Sequence, residues 1–170
     1  GLYGRVLAPL KIGLVAAPAY LHLRGTPQQP EELATHECLL LTLDAEPERW
    51  ALQGPGRRVV IDVRGALRCN VMEPLHQMVL QGLGVARLPS FMTARDVREG
   101  RLVHLLHGWR QAHDARLWAV WPAARDGTPK VSRFVEFLAE RFGEVPYWDR
   151  AAQPWPDPGQ AAALPAGPRP

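Results

Sequence analysis

The residues of this chain that could carry chemistry are six histidines, two cysteines, two serines and a short acidic loop, and their spacing decides which chemistry is open to each. His104, His107 and His113 lie within ten residues of one another and, with Asp114, could offer a metal nitrogen and carboxylate ligands. A strand here turns His104 and His107 to opposite faces, and no second dense ligand pair completes a tetrahedral set, so no metal or cofactor is expected. Ser90 and Ser132 lack the glycine-flanked elbow that exposes a hydrolase nucleophile. Asp44, Glu46 and Glu48 alternate in a loop with no apolar pocket to raise a carboxyl pKa, so they read as solvated charges rather than a general acid and base. His36 and His76 are isolated, and Cys38 and Cys69 sit among apolar neighbours as buried thiols. Gly82-x-Gly84 invites a dinucleotide reading, but that motif needs a strand before and a helix after it. Here the order is reversed, and the glycines end a helix. By elimination the residues support an α/β binding domain better than an enzyme, and no enzyme activity is expected.

Of 170 residues, 46% are apolar and 22% charged, the balance of a globular domain. The net charge of +3 comes with 18 arginines and 2 lysines, scattered with no run longer than Arg57-Arg58, so there is no basic stripe of the kind that binds nucleic acid. No apolar run approaches the ~18 residues of a membrane span. Gly1 to Arg5 lacks the features of a signal peptide, and a cytoplasmic location without a membrane partner is expected. Residues 145–170 hold 7 of the 17 prolines and read as a disordered tail.

Strand and helix patterns alternate along the rest, which predicts an α/β fold. Ile12 to Ala17 reads as a buried strand, followed by a short helix from Pro18 to Gly25 and another from Glu31 to His36. Strands are expected over Cys38 to Leu43, around Trp50, over Arg58 to Val63 and over Ala66 to Cys69, with Gly54-Pro55-Gly56 as a turn. Asn70, with Glu73 three residues on, has the spacing of a helix cap. A strand over Val85 to Leu88 then ends at Pro89, and Ser90 is placed to cap a helix to Arg98. Strands over Leu102 to Leu106 and Leu117 to Trp121 lead to a last helix, with Thr128 as cap, Pro129 at its first position and Val131, Phe134, Val135, Leu138 and Phe142 on its apolar side.

Several of these segments, in order, resemble the effector-binding domain of LysR-type transcriptional regulators. The segments are Leu14-Val15-Ala16-Ala17-Pro18-Ala19-Tyr20-Leu21, Gly25-Thr26-Pro27, Glu32 to Leu39, Trp50, Gly65-Ala66-Leu67 with Asn70, Gly82 to Phe91, Gly100-Arg101-Leu102-Val103, Trp109, Trp118 to Pro122, and Pro129-Lys130-Val131 through Leu138. They span roughly residues 5 to 143 with consistent spacing.

The resemblance implies a two-lobed fold like that of periplasmic binding proteins, with a complete second lobe and an incomplete first. The first lobe would comprise residues 1–17 and 108–144, and the second residues 18–107. A small effector would bind in the interlobe cleft, against Asn70, Val71 and Met72, Pro89, Ser90 and Phe91, and Ala119. A helix N-terminus at Asn70 suits an anionic effector such as a carboxylate. The resemblance also implies a homodimer, with the helix from Glu73 to Leu80 contributing, and control of transcription through a DNA-binding domain absent from this chain. A stand-alone solute-binding protein and an inactive truncated remnant are the alternatives. An exposed apolar face is expected where the rest of the first lobe would pack.

Overall fold

The structure is a computed structural model that describes residues 1–150. The larger part of the expected tail therefore lies outside the described residues. Along the described chain run β1 (Leu2–Leu10), β2 (Ile12–Ala16), α1 (Pro18–Arg24), β3 (Cys38–Leu41), β4 (Arg49–Gly54), β5 (Arg57–Asp62), β6 (Arg68–Cys69) and α2 (Met72–Leu80). They continue with β7 (Val85–Pro89), α3 (Ser90–Arg98), β8 (Val103–His104), β9 (Arg110–Gln111), β10 (Ala115–Pro122), α4 (Pro129–Phe142) and α5 (Tyr147–Arg150). The short helix expected over Glu31 to His36 is a 3-10 helix over Pro30–Thr35 with proline at its start.

A five-stranded sheet in the order β6-β3-β7-β2-β8 organises the larger lobe. Its central strands are apolar on both faces because side chains alternate along a strand. Leu14, Ala16, Cys38 and Leu40 pack to one side, under Tyr20, Leu33, Trp50, Leu52, Ile61 and Val63. Val15, Ala17, Leu39, Ala86 and Leu88 pack to the other, under Leu75 and Val79 of α2 and Leu102. Burying each such leucine stabilises the fold by roughly 2 kcal/mol relative to exposure. Trp50 and Ile61 come from the β4–β5 hairpin, to which β9 adds a third strand.

The smaller lobe is the antiparallel pair β1–β10, running from Leu2 opposite Pro122 to Leu10 opposite Ala115, with a bulge between Val6 and Ala8 and with α4 packed on β1. Ile12–Ala16 pairs with β7 and β8 inside the larger sheet, and Arg110–Gln111 pairs with β4. The first residues of the segment expected as a tail from residue 145 are described. Tyr147–Arg150 is a helical turn because Trp148 finds the rings of Phe91 and Phe142, at 6.0 and 5.5 Å between centroids. The apolar face of the smaller lobe is exposed at Trp118, Val120, Phe134 and Phe137.

Two close backbone approaches require glycine. A methyl group on Gly65 would lie 1.6 Å from the Cys38 carbonyl oxygen, and one on Gly84 would lie 2.5 Å from that of Glu37. Gly65→Ala is expected to destabilise the fold by at least about 3 kcal/mol in urea unfolding. Gly4→Ala, whose methyl meets the Trp118 ring at 3.4 Å, should stay within about 1 kcal/mol of the parent.

Burial, helped by His107, pulls the His104 imidazole from 6.5 down to about 4. Between these two values the unfolded chain binds the extra proton, so stability is full above pH 6.5 and falls as pH drops toward 4. The loss should reach about 3 kcal/mol, and His104→Gln should flatten the acid side of the stability profile measured by denaturant unfolding.

Candidate functional site

Parallel pairing brings several loops to one edge of the five-stranded sheet. β6 and β7 both run parallel to β3, so their C-terminal ends share that edge, and β2, antiparallel to β7, begins there. The edge collects Lys11, Thr42, Asn70 to Met72 and Pro89 to Phe91. At ~4.8 Å per strand, the starts of α2 and α3 stand roughly 10 Å apart, with Lys11 about 5 Å beyond. Open α/β sheets bind ligands just outside such C-terminal strand ends.

Local geometry at both helix starts differs from the expected caps. Val71, not Asn70, is the N-cap of α2; its N–H donates to Cys69 Sγ at 3.4 Å, leaving Asn70 in an exposed bend. Pro89, not Ser90, caps α3, because the Ser90 N–H already donates to the Lys11 carbonyl at 2.8 Å as the first helical residue. Neither helix has a side-chain cap. Their first-turn N–H groups and aligned peptide dipoles thus present positive potential to the edge. α3 carries no acidic residue in its first turn, whereas α2 carries Glu73.

The side chains at this edge mix apolar and polar character. Val71 and Phe91 are about half exposed. The Ser90 hydroxyl is fully buried and, among the described residues, has no hydrogen-bond partner. Lys11 directs its ammonium to within 3.8 Å of the Asp149 carboxylate. Phe91 lies edge-on to Trp148. Such a mixture of a ring, a cation and unpaired donors suits a small ligand with an anionic end.

Ala119 is not brought to this edge. It stands opposite Arg5 on β10 and lines a groove of about 490 Å³ between β10 and α4, with Leu7, Trp118 and Phe134. Other residues singled out in the sequence have structural partners. His76 is not isolated: its Nε2 lies 2.7 Å from Asp96 Oδ2, tying α2 to α3, and Arg101 reaches the other Asp96 oxygen at 2.5 Å. The acidic loop is ion-paired rather than simply solvated, Asp44 to Arg87, Glu46 to Arg49 and Glu48 to Arg68. His36 Nδ1 shares a hydrogen bond with the Tyr20 hydroxyl at 3.0 Å. His104 and His107 bring their ring centroids within 6.5 Å of each other, rather than to opposite faces. Cys38 is buried and apolar surroundings push its thiol up to about 12, while Cys69 is half-buried. Among the described residues no three His, Cys, Asp or Glu side chains gather closely enough to hold a metal ion.

Sequence reasoning missed Lys11, Thr42, Trp148 and Asp149. Lys11 had a signal, as one of only two lysines and set between the apolar ends of two strands. Tyr147-Trp148-Asp149 had one too, an aromatic pair with an acid in a segment read by its prolines.

The model of the LysR substrate binding domain matches residues 1–143, which takes in both lobes and the edge just described. The chain belongs to the LysR substrate-binding domain family. The regulator PtxR of Pseudomonas aeruginosa is 35% identical over 147 residues, 86% of this chain and 47% of that protein. The regulator CrgA of Neisseria meningitidis serogroup C is 32% identical over 144 residues, 84% of this chain and 48% of that one. The chain thus spans about half the length of the curated relatives it matches. The solved regulatory domain of CrgA from Neisseria meningitidis superposes with a TM-score of 0.74 at 29% identity, covering 84% of this chain and 70% of that domain. The full-length virulence activator AphB of Vibrio cholerae superposes with a TM-score of 0.70 at 26% identity, over 82% of this chain and 48% of that protein. The α/β, periplasmic-binding-protein-like fold expected from the sequence is the fold of this LysR substrate-binding domain. No helix among its described residues is long and apolar enough to cross a membrane.

Proposed function

We propose that this LysR substrate-binding domain senses a small carboxylate metabolite at the edge formed by Lys11, Val71 and Met72, and Pro89, Ser90 and Phe91. The observation that carries the reading is the convergence of two uncapped helix starts and one lysine on the same strand ends. Each helix start favours an anion through its N–H groups and dipole, and Lys11 adds a full charge. Exposed Phe91 and Val71 supply the apolar wall. Among the described residues nothing at the edge pairs a nucleophile with a base, which favours binding over catalysis.

Regulation follows by linkage. An effector that fits one arrangement of the two lobes better than another shifts their populations, and a coupling of about 1–3 kcal/mol changes an output severalfold. We assign that output to transcription through a DNA-binding domain outside this chain, in a cytoplasmic homodimer to which α2 contributes. Ala119 is retained as a contact only for a closed arrangement of the lobes.

Thermal unfolding with benzoate, salicylate and succinate at millimolar concentration tests the reading. At least one should raise Tm, since a ligand at 100 times its Kd stabilises by about 2.7 kcal/mol, while benzamide should not. Ser90→Ala should leave the unliganded stability within about 1 kcal/mol, because its hydroxyl loses no hydrogen bond, yet should shrink the shift with the carboxylate. Equal stabilisation by benzamide, or by no carboxylate, contradicts an anion site.

A further inference from the structure

The last described residues return to the proposed effector edge. Trp148 sets its ring edge-on to Phe91 at 6.0 Å and to Phe142 at 5.5 Å. Next to it, the Asp149 side chain is 1% exposed, and its nearest cation among the described residues is Lys11, with Nζ 3.8 Å from Oδ2. Among the described residues neither Asp149 oxygen has a hydrogen-bond partner, and neither do the Trp148 Nε1 and Ser90 Oγ atoms, all of them buried. A buried carboxylate is costly unless charge compensates it, and buried polar atoms are nearly always paired. Three unsatisfied atoms on α5 mark a contact held by the Trp148 rings and by the Lys11 charge rather than by fitted hydrogen bonds.

These are the features expected of a weakly held occupant in a site shaped for something else. An aromatic ring lies on Phe91 and a carboxylate faces Lys11, both on the chain's own α5. We propose that Lys11, Ser90 and Phe91 form a seat for an aromatic carboxylate, and that Trp148 and Asp149 occupy it in cis as a tethered competitor that the effector must displace. The inference rests on the effector reading above and deepens it. A ligand whose site is open only part of the time binds more weakly by the open fraction, so α5 sets the concentration at which the domain responds.

The test uses the full chain, with Lys11→Gln and Trp148→Ala. Chymotrypsin cleavage after Tyr147, followed by mass spectrometry and scaled to a synthetic peptide of residues 144–150, with Trp148→Ala in the peptide for that variant and the parent peptide otherwise, reports docking of α5. Benzoate affinity reports the seat. The parent should be cut at least about tenfold more slowly than its peptide, as expected for a segment mostly closed. Both substitutions should abolish that protection, and benzoate should abolish it in the parent. Affinity should then split the two: Trp148→Ala tightens benzoate about tenfold by vacating the seat, whereas Lys11→Gln weakens it. Parent cleavage at the peptide's rate overturns the proposal, as does weaker benzoate binding in Trp148→Ala, which would make Trp148 a wall of the site. Protection lost in both variants with benzoate binding to none of the three chains supports occupancy by α5 and instead removes the carboxylate effector reading.

Discussion

The parallel pairing of β3 with β6 and β7 is the constraint on which the remaining structure depends. Parallel strands place the starts of their following helices at the same sheet edge, and here that puts the uncapped turns of α2 and α3 side by side. The antiparallel entry of β2 beside β7 adds Lys11 to the same line. No loop conformation has to be specified separately. The glycines at Gly65 and Gly84 enforce the arrangement, since each lets the chain lie against the backbone that leads into β3 at Glu37 and Cys38.

Much of this was legible in the sequence because the signals are local. The apolar run from Ile12 to Ala17 marks β2 as a buried strand, Cys38 to Leu43 and Val85 to Leu88 mark β3 and β7 as strands, and Pro129 with the spacing of Val131, Val135 and Leu138 marks α4. The start of α4 has the expected cap, Thr128, whereas α2 and α3 start within a residue of the expected place but with other caps. A side-chain cap competes with tertiary backbone bonds, and at Ser90 the Lys11 carbonyl, 79 positions earlier in the chain, took the first N–H. Short strands were harder: β9 is two residues long and exists only because β4 offers it an edge. Lys11 was illegible as a site residue for a similar reason, since only the long-range register between β2 and β7 sets it beside Ser90. The residues expected in a cleft near α2 and α3 follow from the family resemblance alone, and Ala119, which follows from it too, lies apart from them in the groove under α4.

The two lobes contribute unequally to the account. The larger encloses its own core on both sheet faces, whereas the smaller leaves Trp118, Val120, Phe134 and Phe137 exposed beside the β10–α4 groove. An apolar patch of this kind ordinarily marks a surface that packs against further protein. The polar edge at α2 and α3 and the apolar groove at α4 are therefore different kinds of surface, one suited to a small charged ligand and the other to side-chain packing. α5 belongs to the first, through Trp148 on Phe91 and Asp149 beside Lys11.

Amide chemical shifts of the isotopically labelled full chain, followed through a benzoate titration, test the central claim most directly. An anion held by the converging helix starts should move the signals of Lys11, Ile12, Val71, Met72, Ser90 and Phe91 most, and saturate with one dissociation constant. Largest shifts along Trp118 to Trp121 and Val131 to Leu138, with the α2 and α3 starts unmoved, would place the ligand in the apolar groove and contradict the account.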